Sequence, residues 1–235
     1  MQNNLELADL GLYLKEENTL VIADLHIGYE EALNAQGMLL PRIYSGRLMT
    51  RLSVLLEKKQ PSHVVIAGDL KHEYGTISEQ EWRETLKVID LISSKAKITL
   101  VKGNHDTILG PIARKRGLEI VEHKQVGNSF ICHGHLPLQT LPEDTTNIII
   151  GHEHPALTLS HLGRAETYKC FLLGAFEGKR LIVLPSLNLV TEGTDVLGPE
   201  RLSPLLADIS RFKVIAVGDK HYDFGTVGEL RSRRD

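Results

Sequence analysis

The chain has 235 residues, of which 42% are hydrophobic and 24% charged, and this ordinary balance excludes disordered, collagen-like and coiled-coil proteins. The formal net charge of −3 provides no global basic field of the kind that marks general nucleic-acid or membrane binders. Two cysteines exclude a disulfide-rich scaffold and a thiolate-rich zinc module, but eleven histidines stand beside them. Imidazole and carboxylate without thiolate are typical of hydrolytic sites that bind Mn, Fe or Zn.

The N-terminal residues lack the basic region and apolar stretch of a signal peptide. No apolar run approaches the roughly 20 residues that span a bilayer. We therefore expect a cytoplasmic protein with no membrane partner.

Five segments share one pattern, in which an apolar, β-branched run is followed by a polar cluster rich in His, Asp or Asn. Runs of this length predict strands that are buried on both faces. Helical periodicity between them, at 43–58 and 79–93, predicts βαβ units and a layered α/β fold. The five segments are residues 19–26, 63–69, 98–106, 129–135 and 147–154.

The pattern changes after about residue 155. Residues 168–174, 180–185 and 212–217 are strand-like and lie between loops that contain Gly and Pro, with little helical periodicity. We expect a second sheet here, antiparallel or mixed. Because no Pro/Ser-rich linker interrupts the chain, we predict one domain over residues 1–235 with two packed sheets.

The polar clusters are the candidate functional residues, because ligands of open α/β sheets bind beyond the carboxyl ends of the strands. Residues two apart on an extended segment point to the same face, so a D-x-H or H-x-H pair can bind one centre together. Each cluster alone has a structural explanation as a turn or a helix cap, but five in order favour one shared metal centre. The clusters are Asp24 with His26, Asp69, Asn104-His105-Asp106, His133 with His135, and His152 with His154, each flanked by a glycine.

The ordered set Asp24-x-His26, Gly68-Asp69, Gly103-Asn104-His105-Asp106, His133 and Gly151-His152-x-His154 resembles the calcineurin-like metallophosphoesterase superfamily. Residues 23–41, 185–196 and 202–209 are similar, more narrowly, to its small ICC-like branch, which includes phosphoesterases associated with DNA repair. The resemblance implies a four-layer α/β/β/α sandwich of two mixed β-sheets flanked by helices. It also implies two divalent metal ions, for which we expect Mn, with Fe, Zn or Ni as alternatives.

The resemblance also assigns roles to individual residues. Asp69 would bridge the two metals, since a carboxylate has two oxygens, and a hydroxide between the metals would attack phosphorus in line. His105 would protonate the leaving oxygen, and Asp106 would hold its imidazole in position. The first metal would be bound by Asp24, His26, Asp69 and His154, and the second by Asp69, Asn104, His133 and His152.

The branch resemblance favours a phosphodiesterase that acts on nucleic acid or nucleotides, with DNA or RNA as the partner. A phosphomonoesterase or a small-nucleotide phosphodiesterase is the alternative within the class. A non-catalytic scaffold of the same fold is the alternative outside it, and the complete ligand set with His105 disfavours this. Two bound divalent ions would make the net charge slightly positive, so the composition does not exclude a nucleic-acid substrate.

Other polar residues have two interpretations each. His72 stands where many members of the superfamily carry an acidic residue, and it either contacts phosphate or caps a loop. We interpret His135 as a loop histidine, with substrate contact as the alternative. Cys132 and Cys170 lie on apolar strands and are expected to be buried and unreactive. We interpret the basic residues Arg42, Arg47 and Arg51 as a solvated helix face, with phosphate steering as the alternative.

Overall fold

The first apolar runs of the chain form a six-stranded sheet. A computed structural model describes residues 4–41, 43–73, 77–161 and 164–233. Strands β3 to β6 are parallel, and β1 and β2 extend the sheet as antiparallel neighbours of β3. The spatial order follows the chain: β1 (Leu5–Ala8), β2 (Gly11–Leu14), β3 (Thr19–Ile22), β4 (His63–Ala67), β5 (Lys97–Val101) and β6 (Glu119–Val121).

Helices connect the parallel strands, as parallel pairing requires. Helix α1 (Tyr29–Ala35) and helix α2 (Tyr44–Lys59) lie between β3 and β4, helix α3 (Glu79–Ser93) precedes β5, and helix α4 (Gly110–Arg116) precedes β6. The apolar faces of α2 and α3 pack on the outer face of the first sheet. The predicted βαβ units and the helices at 43–58 and 79–93 are therefore confirmed.

The second sheet has nine strands and is mixed. Strand β9 pairs in parallel with β8 and β12, whereas β11 pairs antiparallel with β10, β12 and β14. The strands are β7 (His123–Val126), β8 (Ser129–Cys132), β9 (Asn147–Ile150), β10 (Pro155–His161), β11 (Arg164–Phe176), β12 (Lys179–Val183), β13 (Thr194–Asp195), β14 (Lys213–Val217) and β15 (His221–Thr226). Their spatial order is β13-β10-β11-β12-β9-β8-β7, with β14 and β15 paired off this path.

The two sheets pack face to face. Alternate residues of each central strand point into the space between the sheets, so Val65 of β4 joins Ile149 of β9 in the central apolar cluster. Their neighbours Ile66 and Ile148 point outward to the layers that cover each sheet. The outer face of the second sheet is covered by the segment before β14 and by helix α5 (Val227–Arg231). The predicted sandwich of two mixed sheets flanked by helices is confirmed.

Among the described residues, none of the helices combines the length and the apolar composition that a bilayer-spanning segment needs.

Candidate metal centre

The five polar clusters meet at one place in the structure. Strands β3, β4, β5, β8 and β9 end at residues 22, 67, 101, 132 and 150, so each cluster occupies the loop that follows its strand. His133 Nε2 lies 3.2 Å from Asp69 Oδ2, and His26 Nε2 lies 3.6 Å from the same oxygen. His154 Nε2 lies 3.4 Å from Asp24 Oδ1. Parallel strands thus bring residues from distant parts of the chain to one edge, as predicted.

The seven expected ligands fall into two adjoining groups. Within each group the candidate ligand atoms of the carboxylates and imidazoles lie within 4.8 Å of one another. Asn104 joins the second group, because its Oδ1 lies 2.9 Å from His133 Nε2. The first group is Asp24, His26 and His154, and the second is Asp69, His133 and His152. Asp69 also contacts the first group, because His26 Nε2 lies 3.6 Å from Asp69 Oδ2.

The prediction that the two pairs lie on extended segments is wrong for both, and only Asp24 and His26 belong to one group. His152 and His154 belong to different groups. The φ angles of these residues are 66° and 47°, in the left-handed region rather than the extended one. Asp24, His26 and Asp69 are also left-handed, with φ angles of 54°, 43° and 48°. This conformation costs roughly 1–2 kcal/mol per residue and concentrates at functional sites.

The loop between β12 and β13 braces this strained backbone. The Ser186 hydroxyl donates to the Asp24 carbonyl at 2.7 Å. The Asn188 side-chain amide donates to the carbonyls of Leu25 and His26 at 2.9 and 3.2 Å. Both donors lie in 185–196, a segment that the sequence offers only as a resemblance. Their positioning role was missed because nothing in the local sequence shows which carbonyls a side chain will reach.

Glycine at position 103 keeps two loops close together. A Cβ on Gly103 would lie 2.1 Å from Asp69 Oδ1 and 2.4 Å from the Asp69 backbone nitrogen. Such distances are far below van der Waals contact, so only glycine fits between β5 and the Asp69 loop. The same holds at Gly68, which has a φ of 89° and whose added Cβ would lie 2.1 Å from His133 Nδ1.

Burial and charge hold most of these groups in the forms that bind cations. Burial and the neighbouring His154 lower the pKa of His26 to about 3, and burial and His133 lower that of His152 to about 4. Burial opposes ionisation of Asp69, but its hydrogen bond to His133 and the charge of that ring hold its pKa below the usual value. At His133 burial lowers the pKa, but the hydrogen bond to Asp69, the charges of Asp24 and Asp69, and the Ala67 carbonyl together raise it to about 9.

The arrangement fits divalent metal ions. His26 Nε2 and His154 Nε2 lie 3.1 Å apart, close enough for both to face one cation. His26 is 5% exposed, and within the described part of the chain its Nδ1 has no hydrogen-bond partner. Carboxylate, imidazole and amide donors in this buried cluster are the set that Mn, Fe, Zn and Ni accept.

His105 lies at the edge of this cluster. Its backbone N–H donates to Asp69 Oδ1 at 2.9 Å, and its Nε2 lies 4.0 Å from Asp69 Oδ2. Its Nδ1 is 2.6 Å from the backbone carbonyl of His72, an acceptor that fixes the proton on Nδ1. The ring therefore turns Nε2 toward the candidate ligands.

The Asp106 carboxylate accepts hydrogen bonds from two backbone N–H groups. Its carboxylate accepts from the backbone N–H of Gly103 at 2.9 Å and from that of Lys71 at 3.4 Å, whereas the His72 carbonyl is the acceptor for the His105 ring. Through these two contacts Asp106 holds the loop that carries His105. Burial and the charge of Asp69 raise the pKa of Asp106 to about 6.

The His72 ring faces the site, and a side chain of α3 caps the loop that carries it. Its ring lies 5.3 Å from that of His105 and 4.3 Å from that of Tyr29, measured between centroids. Glu81 of α3 does the capping, since it accepts from the backbone N–H of His72 at 2.9 Å and of Glu73 at 3.0 Å. Tyr29 and Glu81 were missed because neither lies in a polar cluster.

The remaining predictions concern residues outside the cluster. Cys132 and Cys170 are buried on the outer face of the second sheet, as expected, and burial raises the pKa of both thiols. Arg51 pairs with Asp9 through two contacts of 2.5 and 2.6 Å, and Arg47 is exposed. Arg42 lies outside the described residues.

Comparisons with known proteins give the family and the fold of the chain. The family model of calcineurin-like phosphoesterases matches residues 18–223. A comparison with curated proteins finds no match. Among solved structures, the nuclease MPE of Pseudomonas putida is similar with a TM-score of 0.66 and 23% identity, over 94% of each chain.

Two further structures show weaker similarity. The phosphoesterase YfcE of E. coli has a TM-score of 0.38 and 15% identity, over 88% of this chain and 96% of that one. Vps29 of Entamoeba histolytica, solved with zinc, has a TM-score of 0.36 and 17% identity, over 88% of this chain and 99% of that one. On the family match over most of its length, the chain belongs to the calcineurin-like phosphoesterases, a family of metal-binding hydrolases.

Proposed function

We propose that this protein is a dinuclear metal-dependent phosphodiesterase that hydrolyses nucleic acid or nucleotides. The observation that carries the proposal is the pair of adjoining ligand groups, which meet at Asp69 and have His105 at their edge. A cytoplasmic location and DNA or RNA as the partner belong to the same proposal.

The candidate ligands would hold two ions. Asp24, His26, Asp69 and His154 would hold the first, and Asp69, Asn104, His133 and His152 the second. Two divalent ions bound there would lower the pKa of a water molecule and polarise the phosphoryl oxygens. We propose Mn as the metal, although the nitrogen and oxygen donors suit Fe, Zn and Ni as well.

His105 would act as the general acid. Its Nδ1 proton is held by the His72 carbonyl, so Nε2 is the atom that can give a proton to the leaving oxygen. General acid catalysis of this kind contributes about 10²–10⁴-fold. Asp69 accepts a hydrogen bond from the His105 backbone N–H, and this bond fixes the position of the acid relative to the bridging carboxylate.

Two considerations support a diester of nucleic acid or nucleotides as the substrate. The sequence resembles the DNA-repair-associated branch, and a structure of similar fold is named a nuclease. A phosphomonoesterase is the alternative within the class. A scaffold without catalysis is disfavoured, because all seven candidate ligands and His105 are brought together.

Matched substrates test the proposal. Purified protein supplied with Mn²⁺ should hydrolyse bis-p-nitrophenyl phosphate faster than p-nitrophenyl phosphate, and it should nick plasmid DNA. Asp69→Asn should abolish these activities, whereas Asp219→Asn, at an exposed aspartate of the β14–β15 turn, should retain them. Faster monoester turnover without DNA nicking would contradict the proposed substrate class.

A further inference from the structure

A groove opens beside the candidate metal centre. It has a volume of about 550 Å³ and is lined by residues between 122 and 140, from β7, β8 and the loop after β8. Pockets of this size hold small organic ligands. His133 and His135 line the groove and also belong to the cluster of imidazoles. A ligand that binds in the groove would therefore extend to the metal centre.

The groove presents a flat aromatic surface. The ring of His123 stacks on that of Phe130, with centroids 4.8 Å apart and planes 25° apart. Phe130 is 4% exposed and supports the ring of His123 from the protein side, whereas His123 itself is exposed. Leu136 on the opposite loop leaves 59% of its surface exposed. A planar ring and an apolar side chain suit a nucleobase, because every base has a face that stacks on aromatic rings.

His135 lies where the groove meets the metal centre. Its ring is 5.2 Å from that of His133 and 6.0 Å from that of His152, between centroids. The Nδ1 atom of His135 is buried and has no hydrogen-bond partner within residues 4–41, 43–73, 77–161 and 164–233. A sugar or phosphate oxygen entering the groove from the centre would supply that partner.

The groove and the proposed general acid adjoin the metal centre at different residues. His105 contacts His26 and His72, and its Nε2 faces Asp69. The groove instead continues from His133 and His135. The leaving arm of a diester must lie next to the acid that protonates it. The groove is therefore placed to receive the other arm, which stays on phosphorus.

We propose that this groove binds the nucleoside of the substrate arm that remains on the phosphoryl group, with the base stacked on His123 and His135 bonded to the sugar or phosphate. This inference rests on the proposed function and deepens it. A monoester has no second arm, so the groove makes the enzyme selective for nucleotide diesters.

Two chromogenic diesters with the same leaving group test the inference. Thymidine 5′-monophosphate p-nitrophenyl ester carries a nucleoside on the retained arm, and methyl p-nitrophenyl phosphate carries only a methyl group. The wild type should prefer the thymidine ester. In His123→Ala the ratio of kcat/KM for the two esters should fall about tenfold, mainly through the KM for the thymidine ester. His123→Phe should restore the ratio, since it keeps an aromatic face.

Control variants separate the groove from other surfaces. Tyr222→Leu, at a partly exposed tyrosine on β15, should keep the wild-type ratio. An unchanged ratio in His123→Ala would overturn the inference. So would a selective loss of the thymidine ester in Tyr29→Leu with no loss in His123→Ala, because that would place the nucleoside beside His72.

The inference and the proposed function can fail separately. If the wild type hydrolyses neither ester with Mn²⁺, the proposed function fails. Binding of thymidine 5′-monophosphate then tests the groove alone by calorimetry, and its Kd should rise about tenfold in His123→Ala. Equal Kd values for wild type and variant would overturn the proposal that the groove binds the nucleoside.

Discussion

Replacing Gly103 with alanine tests how closely the loops of the centre are packed. The added Cβ would lie 2.1 Å from Asp69 Oδ1 and 2.4 Å from the Asp69 nitrogen. Carbon and its neighbours pack at about 3.5 Å or more, so Asp69 or Gly103 must move by about 1 Å. Displacements of that size at a catalytic group cost about 10²-fold in rate. Overpacking of this kind also destabilises a fold by about 1–3 kcal/mol.

We therefore expect Gly103→Ala to fold, to melt several degrees lower, and to lose about 10²-fold in kcat/KM on bis-p-nitrophenyl phosphate with Mn²⁺. Mn²⁺ affinity, measured by calorimetry, should fall as well, because the strained group is the bridging carboxylate. Gly46→Ala is the matched control: a Cβ there meets nothing within 4 Å, and the helical site gains about 0.5–1 kcal/mol. Activity and Mn²⁺ affinity of Gly103→Ala within threefold of the wild type would refute the reasoning.

Three further variants address single groups. His105→Ala should keep both metals and the hydrolysis of p-nitrophenyl esters. On esters with poor leaving groups its kcat/KM should fall about 10²–10⁴-fold. Equal losses on both ester types would show that His105 is not the acid. Asp106→Ala leaves the Gly103 N–H without its acceptor, so the free energy of unfolding should fall by about 1–3 kcal/mol in a denaturant melt. Its kcat should fall less than that of His105→Ala. A larger fall in kcat than that of His105→Ala would indicate a direct catalytic role for Asp106. Burial lowers the pKa of Lys169 from 10.5 to about 8, so the unfolded chain binds more protons between these values and wild-type stability rises with pH there. Lys169→Met should thus melt about 2–4 °C higher at pH 7, and a gap that does not narrow toward pH 10.5 would contradict this.

The parts of the fold with strong local signals were predictable. The strands before Asp69 and before His152 contain the apolar runs Val64–Ala67 and Ile148–Ile150, which are fully buried, so composition alone indicates central strands. Helix α3 has a clear apolar face and an N-cap serine at Ser78. In contrast, α1 and α4 have seven residues each, too few for periodicity to distinguish them from loops.

The sequence indicated which residues meet at the strand ends, but not how their side chains are arranged. Strand ends show which residues meet, and they gave Asp24, Asp69 and His133 correctly as neighbours. They do not show that the backbone beyond the strands is left-handed, nor that His152 and His154 belong to different groups. The bond from Asn188 to His26 spans 162 residues of chain, and no local pattern encodes such a contact.

The central claim is that two metal ions share Asp69, and metal stoichiometry tests it most directly. Protein saturated with Mn²⁺ and dialysed should hold two ions per chain by mass spectrometry of the metal. His154→Asn and His152→Asn should each lose one ion, since these residues lie in different groups, and Asp69→Asn should lose both or hold them only weakly. A single ion in the active wild type, or two tightly held ions in Asp69→Asn, would contradict the account.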